Sequence, residues 1–234
     1  QFGVWNVETG ETVLRPDLSQ SKEVFAVVFS DDGQFVAASV GNSVRVWNLE
    51  SNEQIQELTD IERVVTCLDF DQSGKMLGVG QANGRASVVD VSTGEPISPI
   101  AGHDYFVHRI QVDSNNDRVL TCSYDGTAQI YDLRTGEVIA TCEHERPVIW
   151  TEFDPGYTRL LTASDDGLVK IWRAPRALGE AAGRARERRS GQKATAGMIA
   201  NSQGYSRRVL NELSESSLIF FHCELGCTSR PKVC

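Results

Sequence analysis

Along residues 1–174 the apolar positions fall into short runs that alternate with polar residues or consist of small and β-branched side chains. Turns rich in Gly, Asp, Asn and Ser separate them, which predicts strands joined by tight connections. No segment before residue 176 holds a 3.6-residue period for ten positions, so helices are not predicted there. The runs also recur in a fixed order. A segment such as "VFAVVF", "VVTCLDF", "VHRIQV" or "VIWTEF" comes first, then a turn ("SDDG", "DQSG", "DSNND", "DPGYT"). A strand of small and branched residues follows ("QFVAAS", "MLGVG", "RVLTCS", "RLLTAS"), and then a strand ending near an aromatic ("VWNV", "VWNL", "VVDV", "IYDL", "IWRA"). In four copies a polar turn and another apolar segment close the unit: "ETGETVL", "ESNEQIQEL", "STGEPISPI" and "RTGEVIATC".

The aromatic position aligns at Trp5, Trp47, Val89, Tyr131 and Trp172, with spacings of 42, 42, 42 and 41. A period of this length marks a repeated supersecondary unit that buries its faces only by stacking on its neighbours. Four antiparallel strands per unit make the unit a β-propeller blade, so the fold class is all-β.

The last two units carry a more specific pattern. They read "AGHDYFV" and "CEHERPV", and from each histidine the offsets to a serine, an aspartate and an aromatic are 20, 22 and 28. His103, Ser123, Asp125 and Tyr131 form one set, and His144, Ser164, Asp166 and Trp172 the other. Residues 1–174 thus resemble the WD-repeat (tryptophan–aspartate repeat) family. The resemblance implies that each set is a structural tetrad in which a buried imidazole bridges a carboxylate and the serine hydroxyl beside the aromatic ring. Two units depart from the pattern, with Gln20 and Asp60 at the histidine position, Gly41 and Asn83 at the aspartate, and Val89 at the aromatic. Those blades are expected to close by packing alone and to be less rigid.

The unit boundaries predict blades at about 22–58, 62–100, 105–142 and 146–172, with 1–14 as third and fourth strands of a preceding blade or as a closure strand. The last blade lacks a fourth strand, which "TVLRP" could supply to seal a four-blade ring. Family members commonly have more blades, so the expectation is a piece of a larger propeller, with the closed or oligomeric four-blade form as the alternative. Open blade faces would expose apolar surface that invites association.

Charge divides the chain at the same boundary. Residues 1–174 hold 13 Lys+Arg against 27 Asp+Glu, and residues 175–234 hold 10 against 5. An acidic body argues against sequence-independent nucleic-acid binding, which needs a basic surface; only the basic, flexible tail at 175–234, with "RARERR", offers one. Cys67, Cys122 and Cys142 stand singly in strands and read as small buried hydrophobes in a reducing compartment, cytoplasmic with the nucleus as alternative. His222, Cys223, Cys227 and Cys234 fit no usual zinc spacing, so no metal and no cofactor is assigned.

No catalytic residue is assigned either. The Ser, His and Asp of the last blades stand at tetrad offsets without an exposed nucleophile turn, and Asp31–Asp32 and Asp165–Asp166 lie in turns, where aspartate caps backbone amides. What remains is the rim, where loops present Tyr105, Phe106, Tyr124, Arg146 and Asp165; aromatics and Arg in rigid loops are typical binding anchors. The reading is a non-catalytic scaffold binding proteins or peptides, with no small-molecule substrate and no membrane. The alternatives are a sensor arm of a larger signalling ATPase or kinase, or a ribonucleoprotein adaptor using the tail.

Overall fold

The computed structural model describes residues 2–16, 23–59 and 61–175. Gln20, Asp60, the "RARERR" stretch, His222, Cys223, Cys227 and Cys234 lie outside the described residues. Within them the chain is all-β. A hairpin of β1 (Val4–Trp5) and β2 (Thr12–Leu14) is followed by four antiparallel sheets. Blade A contains β3 (Val27–Phe29), β4 (Phe35–Val40), β5 (Ser43–Asn48) and β6 (Gln54–Leu58). Blade B contains β7 (Val65–Phe70), β8 (Met76–Gln81), β9 (Arg85–Asp90) and β10 (Pro96–Ala101). Blade C contains β11 (Val107–Asp113), β12 (Arg118–Ser123), β13 (Thr127–Asp132) and β14 (Val138–Glu143). Blade D has three strands, β15 (Val148–Phe153), β16 (Arg159–Ser164) and β17 (Val169–Arg173). Each sheet pairs its strands in sequence order, so every blade is a meander.

The turns explain why the strands stop where they do. The residue after the aromatic position is Asn6, Asn48, Asp90 or Asp132, and its side-chain oxygen accepts two backbone N–H groups from the turn that follows. Asx side chains mimic a backbone turn in this way. The first of these turns holds residues 6–11 so that β2 pairs with β1. The sequence offered a ring closed by "TVLRP" on the last blade as one alternative. Among the described residues β2 pairs only with β1, and β17 only with β16.

The core lies between the sheets. Val44, Val46, Phe70, Leu77 and Val79 fill the space between blades A and B; Ala86, Val88, Ile110, Val112 and Val119 that between B and C. Leu120, Ala128, Ile130, Val148 and Leu160 fill the space between C and D, while Leu14, Val36, Ala38 and Trp47 join the hairpin to blade A. Because a middle strand is covered on both faces, β12 is buried at all six positions, its Val, Leu and Cys interspersed with Thr and Ser behind the buried Arg118.

Polar side chains also bind blade to blade. Asp69 Oδ2 accepts Val112 N–H at 2.9 Å, and one blade later Gln111 Oε1 accepts Phe153 N–H at 2.9 Å. Arg118 is buried and pairs with Asp113, its Nε 3.1 Å from Oδ2. Its other nitrogens reach the carbonyls of Tyr157 at 3.0 Å and Pro175 at 2.7 Å, and its plane lies over the Phe153 ring. Blade C thereby holds the β15–β16 turn and the segment that follows β17. Cys67, Cys122 and Cys142 are buried and free, and burial pushes their thiols up, to about 12 for Cys67 and Cys142.

Removing one partner of the Arg118–Asp113 pair leaves a buried charge unmatched. Asp113→Ala is expected to lower unfolding free energy by about 3–5 kcal/mol, read from urea titrations. Burial also pushes the Asp69 carboxyl up to about 7, against the hydrogen bond from Val112 and the charge of Arg109. The folded chain then keeps a proton that the unfolded chain sheds near pH 4, so this residue favours folding at low pH and ceases to as pH rises through about 7. Relative to Asp69→Asn, the natural chain should lose on the order of 2–3 kcal/mol between pH 5 and pH 8 and little more above.

Candidate functional site

Two buried networks support the rim. In blade C, His103 precedes β11 and Asp125 lies in the turn between β12 and β13. Asp125 Oδ2 is 2.8 Å from His103 Nδ1, and the carboxylate can only accept, so Nδ1 carries the proton. His103 Nε2 lies 2.7 Å from Thr121 Oγ1 and accepts that hydroxyl proton when the imidazole is neutral. Burial lowers the His103 pKa in spite of Asp125, so the neutral form is the one this site holds. Asp125 Oδ1 is taken up by the N–H and hydroxyl of Thr127 at 2.8 and 2.7 Å. Desolvation pushes Asp125 up, but these bonds and His103 outweigh it and hold its pKa below the ordinary carboxylate value.

Blade D repeats the arrangement. His144 Nδ1 meets Asp166 Oδ2 at 2.8 Å, Nε2 meets Thr162 Oγ1 at 2.7 Å, and Trp172 Nε1 donates to Thr162 Oγ1 at 2.9 Å. With the imidazole neutral, each group donates to the next: indole to hydroxyl, hydroxyl to imidazole, imidazole to carboxylate. In blade C the Tyr131 hydroxyl instead donates to Gln129, and its ring meets His103 edge-on at 6.5 Å.

The hydroxyl of each network is a point where the sequence reading needs correction. Ser123 and Ser164 were expected to face the imidazoles; Thr121 and Thr162 do. All four residues lie on the same strand face as their neighbour two positions away, but the serines end their strands. There Ser123 Oγ donates to the Tyr105 carbonyl at 3.0 Å and Ser164 Oγ to the Arg146 carbonyl at 2.9 Å, while each accepts the N–H of the turn aspartate. The serines therefore pin the rim loops, and the threonines complete the networks. Both imidazoles are buried, with side-chain exposures of 1% and 0%, so these histidines brace the sheet and do not present a base to solvent.

Above the blade C network the rim is aromatic. Tyr105 is 64% exposed. Val107 pairs with Ser123, which sets Phe106 opposite Tyr124, and their rings stack at 4.2 Å. His108, two residues along β11, continues the stack on Tyr124 at 5.5 Å. The Arg109 guanidinium lies 3.8 Å over the Trp150 ring. Arg146, Asp165 and Glu145 are exposed at the blade D end, and Asp104 is exposed beside Tyr105. Sequence reasoning missed His108, Arg109 and Trp150. The i, i+2 spacing of Phe106 and His108 on a strand was the available signal for the first.

Comparison with known proteins settles the family. A model of the nucleolar protein 10-like N-terminal domain matches residues 26–228. The chain belongs to this β-propeller family. Its curated relatives are WD-repeat proteins, the kind of propeller that binds other proteins. The chain is 26% identical over 165 residues to angio-associated migratory cell protein of Homo sapiens, covering 63% of this chain and 38% of that one. It is 27% identical to COMPASS component SWD3 of Saccharomyces cerevisiae over 66% of this chain and 52% of that one. It is 34% identical to eukaryotic translation initiation factor 3 subunit I of Meyerozyma guilliermondii over 47% and 32%. The chain thus spans only about a third to a half of these relatives. Among solved structures it resembles the computationally designed Ika4 protein, with a TM-score of 0.63 over 71% of this chain and all of that one. A chain of the mitotic checkpoint complex gives 0.64 over 72% and 55%. At 21% and 23% identity these two likenesses concern the fold.

In this WD-repeat propeller, Thr162→Val should leave the Trp172 N–H and the His144 Nε2 without partners and cost about 2–3 kcal/mol in chemical unfolding. Thr162→Ser should restore most of that loss.

Proposed function

We propose that this WD-repeat propeller is a non-catalytic scaffold that binds protein partners or peptides on the rim formed by Tyr105, Phe106 and Tyr124, with Arg146 and Asp165 at its margin. The observation that carries the reading is the ordered stack of Phe106, Tyr124 and His108 beside exposed Tyr105, held on loops that buried networks make rigid. Large rings with few rotatable bonds, fixed before the partner arrives, lose little entropy on binding. The exposed carboxylates of Asp104, Glu145 and Asp165 favour a partner that brings basic side chains. The three free strand cysteines suit a reducing compartment, and we assign the cytoplasm.

A second reading makes the propeller a regulatory arm of a larger signalling ATPase. It draws on the 22% identity with apoptotic protease-activating factor 1 of Danio rerio, of which this chain covers 13%.

The experiment is quantitative proximity labelling around the tagged chain, natural against Tyr105→Ala/Phe106→Ala/Tyr124→Ala, with Tyr105→Ala alone as a variant that leaves the stack intact. Recovery of the principal partners should fall roughly tenfold or more in the triple variant and measurably in the single one. Unchanged recovery in both, with unchanged thermal unfolding, would refute the rim.

A further inference from the structure

The junction of blades C and D carries a frame of its own at the rim. The Gly126 carbonyl, at the end of the Tyr124 turn, accepts the His144 N–H at 2.9 Å. Further along the same loop, the Arg146 carbonyl accepts the Ser164 hydroxyl at 2.9 Å and the Pro147 carbonyl accepts the Asp165 N–H at 3.0 Å. Tyr124, Glu145 and Asp165 therefore stand on one hydrogen-bonded track that crosses from blade C to blade D. The repeat register agrees. Tyr124 and Asp165 hold equivalent positions in the turns between second and third strands, and Asp104 and Glu145 each follow a buried histidine.

Charge along this track is unbalanced. Asp104, Glu145 and Asp165 are exposed and form no ion pair among the described residues. Glu62, the equivalent of Asp104 and Glu145 in blade B, pairs with Arg85 at 2.7 Å. Against the three unpaired carboxylates, the loops 102–106, 124–126, 144–147 and 165–168 present a single exposed basic side chain, Arg146. Burial and the Arg109 charge lower the His108 pKa, and Asp165 works against them. Asp165 thus lies within electrostatic reach of the ring that stacks on Tyr124.

Aromatic faces bordered by unpaired carboxylates discriminate among basic groups. An ammonium is a compact, strongly hydrated point charge. A guanidinium is planar and more weakly hydrated, so it rests flat on a ring while its N–H groups reach sideways to a carboxylate. The molecule makes such a stack at this same junction, where the Arg109 guanidinium lies 3.8 Å over the Trp150 ring.

We propose that the rim at the junction of blades C and D is a seat for an arginine side chain of a protein partner. The guanidinium lies against the aromatic surface of Tyr105 and Tyr124 and turns its N–H groups to Asp165 and Glu145. This seat belongs to the protein-binding rim proposed above and stands only if that rim is used; it narrows the partner from basic segments in general to those that present arginine. Lysine has the charge without the plane, and citrulline the plane without the charge, so both should fit less well.

The test is selection of a displayed random peptide library on the whole chain under reducing conditions, followed by fluorescence anisotropy with the selected peptides. These should share an arginine whose replacement by lysine weakens binding about fivefold, and by citrulline about tenfold or more. Asp165→Asn/Glu145→Gln should cost the arginine peptide about tenfold and the citrulline peptide little, because the two changes remove the same interaction. Both carboxylates are exposed and accept no hydrogen bond among the described residues, so this variant keeps the natural thermal unfolding. Peptides that require Tyr105, Phe106 and Tyr124 yet bind equally well with lysine or citrulline would overturn the arginine seat and leave the rim standing. Peptides indifferent to Tyr105→Ala/Phe106→Ala/Tyr124→Ala, or a selection that yields none, would also overturn the seat, and the proximity labelling then judges the rim by itself.

Discussion

Face-to-face burial between successive sheets is the constraint from which the rest of this molecule follows. A twisted four-stranded sheet exposes two apolar faces, and neither can be satisfied by the sheet alone. Stacking blades A to D covers both faces of the middle sheets, which is why β12 is buried along its whole length while β17 alternates between half-buried and exposed positions. Every other feature either registers this packing or uses the edge that it leaves.

Hydrophobic packing is not directional, so polar contacts set how one sheet lies on the next. Asp69 and Gln111 each reach one backbone N–H of the following inner strand, and a slip of one residue would break both bonds. Arg118 and Asp113 tie blade C to the β15–β16 turn of blade D at the cost of burying two charges. The histidine networks act within a blade, fixing the loop before the first strand to the turn between the second and third. They occur in blades C and D, and the aromatic rim lies directly above the first of them.

That placement ties the rim loop to the core of blade C. The Ser123 hydroxyl that holds the Tyr105 carbonyl also accepts the Asp125 N–H, and Asp125 holds His103. A loop carrying two aromatic residues is thus tied through three side chains to the centre of the sheet. The hydrogen bonds that hold this loop are themselves shielded from water, where such bonds are strongest.

Much of this was legible in the chain alone. The spacing of Trp5, Trp47, Val89, Tyr131 and Trp172 determined the repeat and its strands, because a period-two apolar pattern with Asp/Gly turns has few other solutions. The offsets of Asp125 and Asp166 from their histidines were equally legible, since local turns set them. The Asx turns at Asn6, Asn48, Asp90 and Asp132 were written in the same repeat and went unread. Other features depended on the third dimension. Thr121 and Ser123 share a strand face, so only the length of β12 relative to the loop decided which hydroxyl meets the imidazole. Arg118, Arg109 and Trp150 acquire partners across a blade interface, and their immediate sequence neighbours carry no trace of them. The bare face of Ile171 and Val169 is the clearest case: their sequence is that of Val46 or Ile130, and whether such a residue is core or surface is decided by what packs against the sheet, which no local pattern encodes.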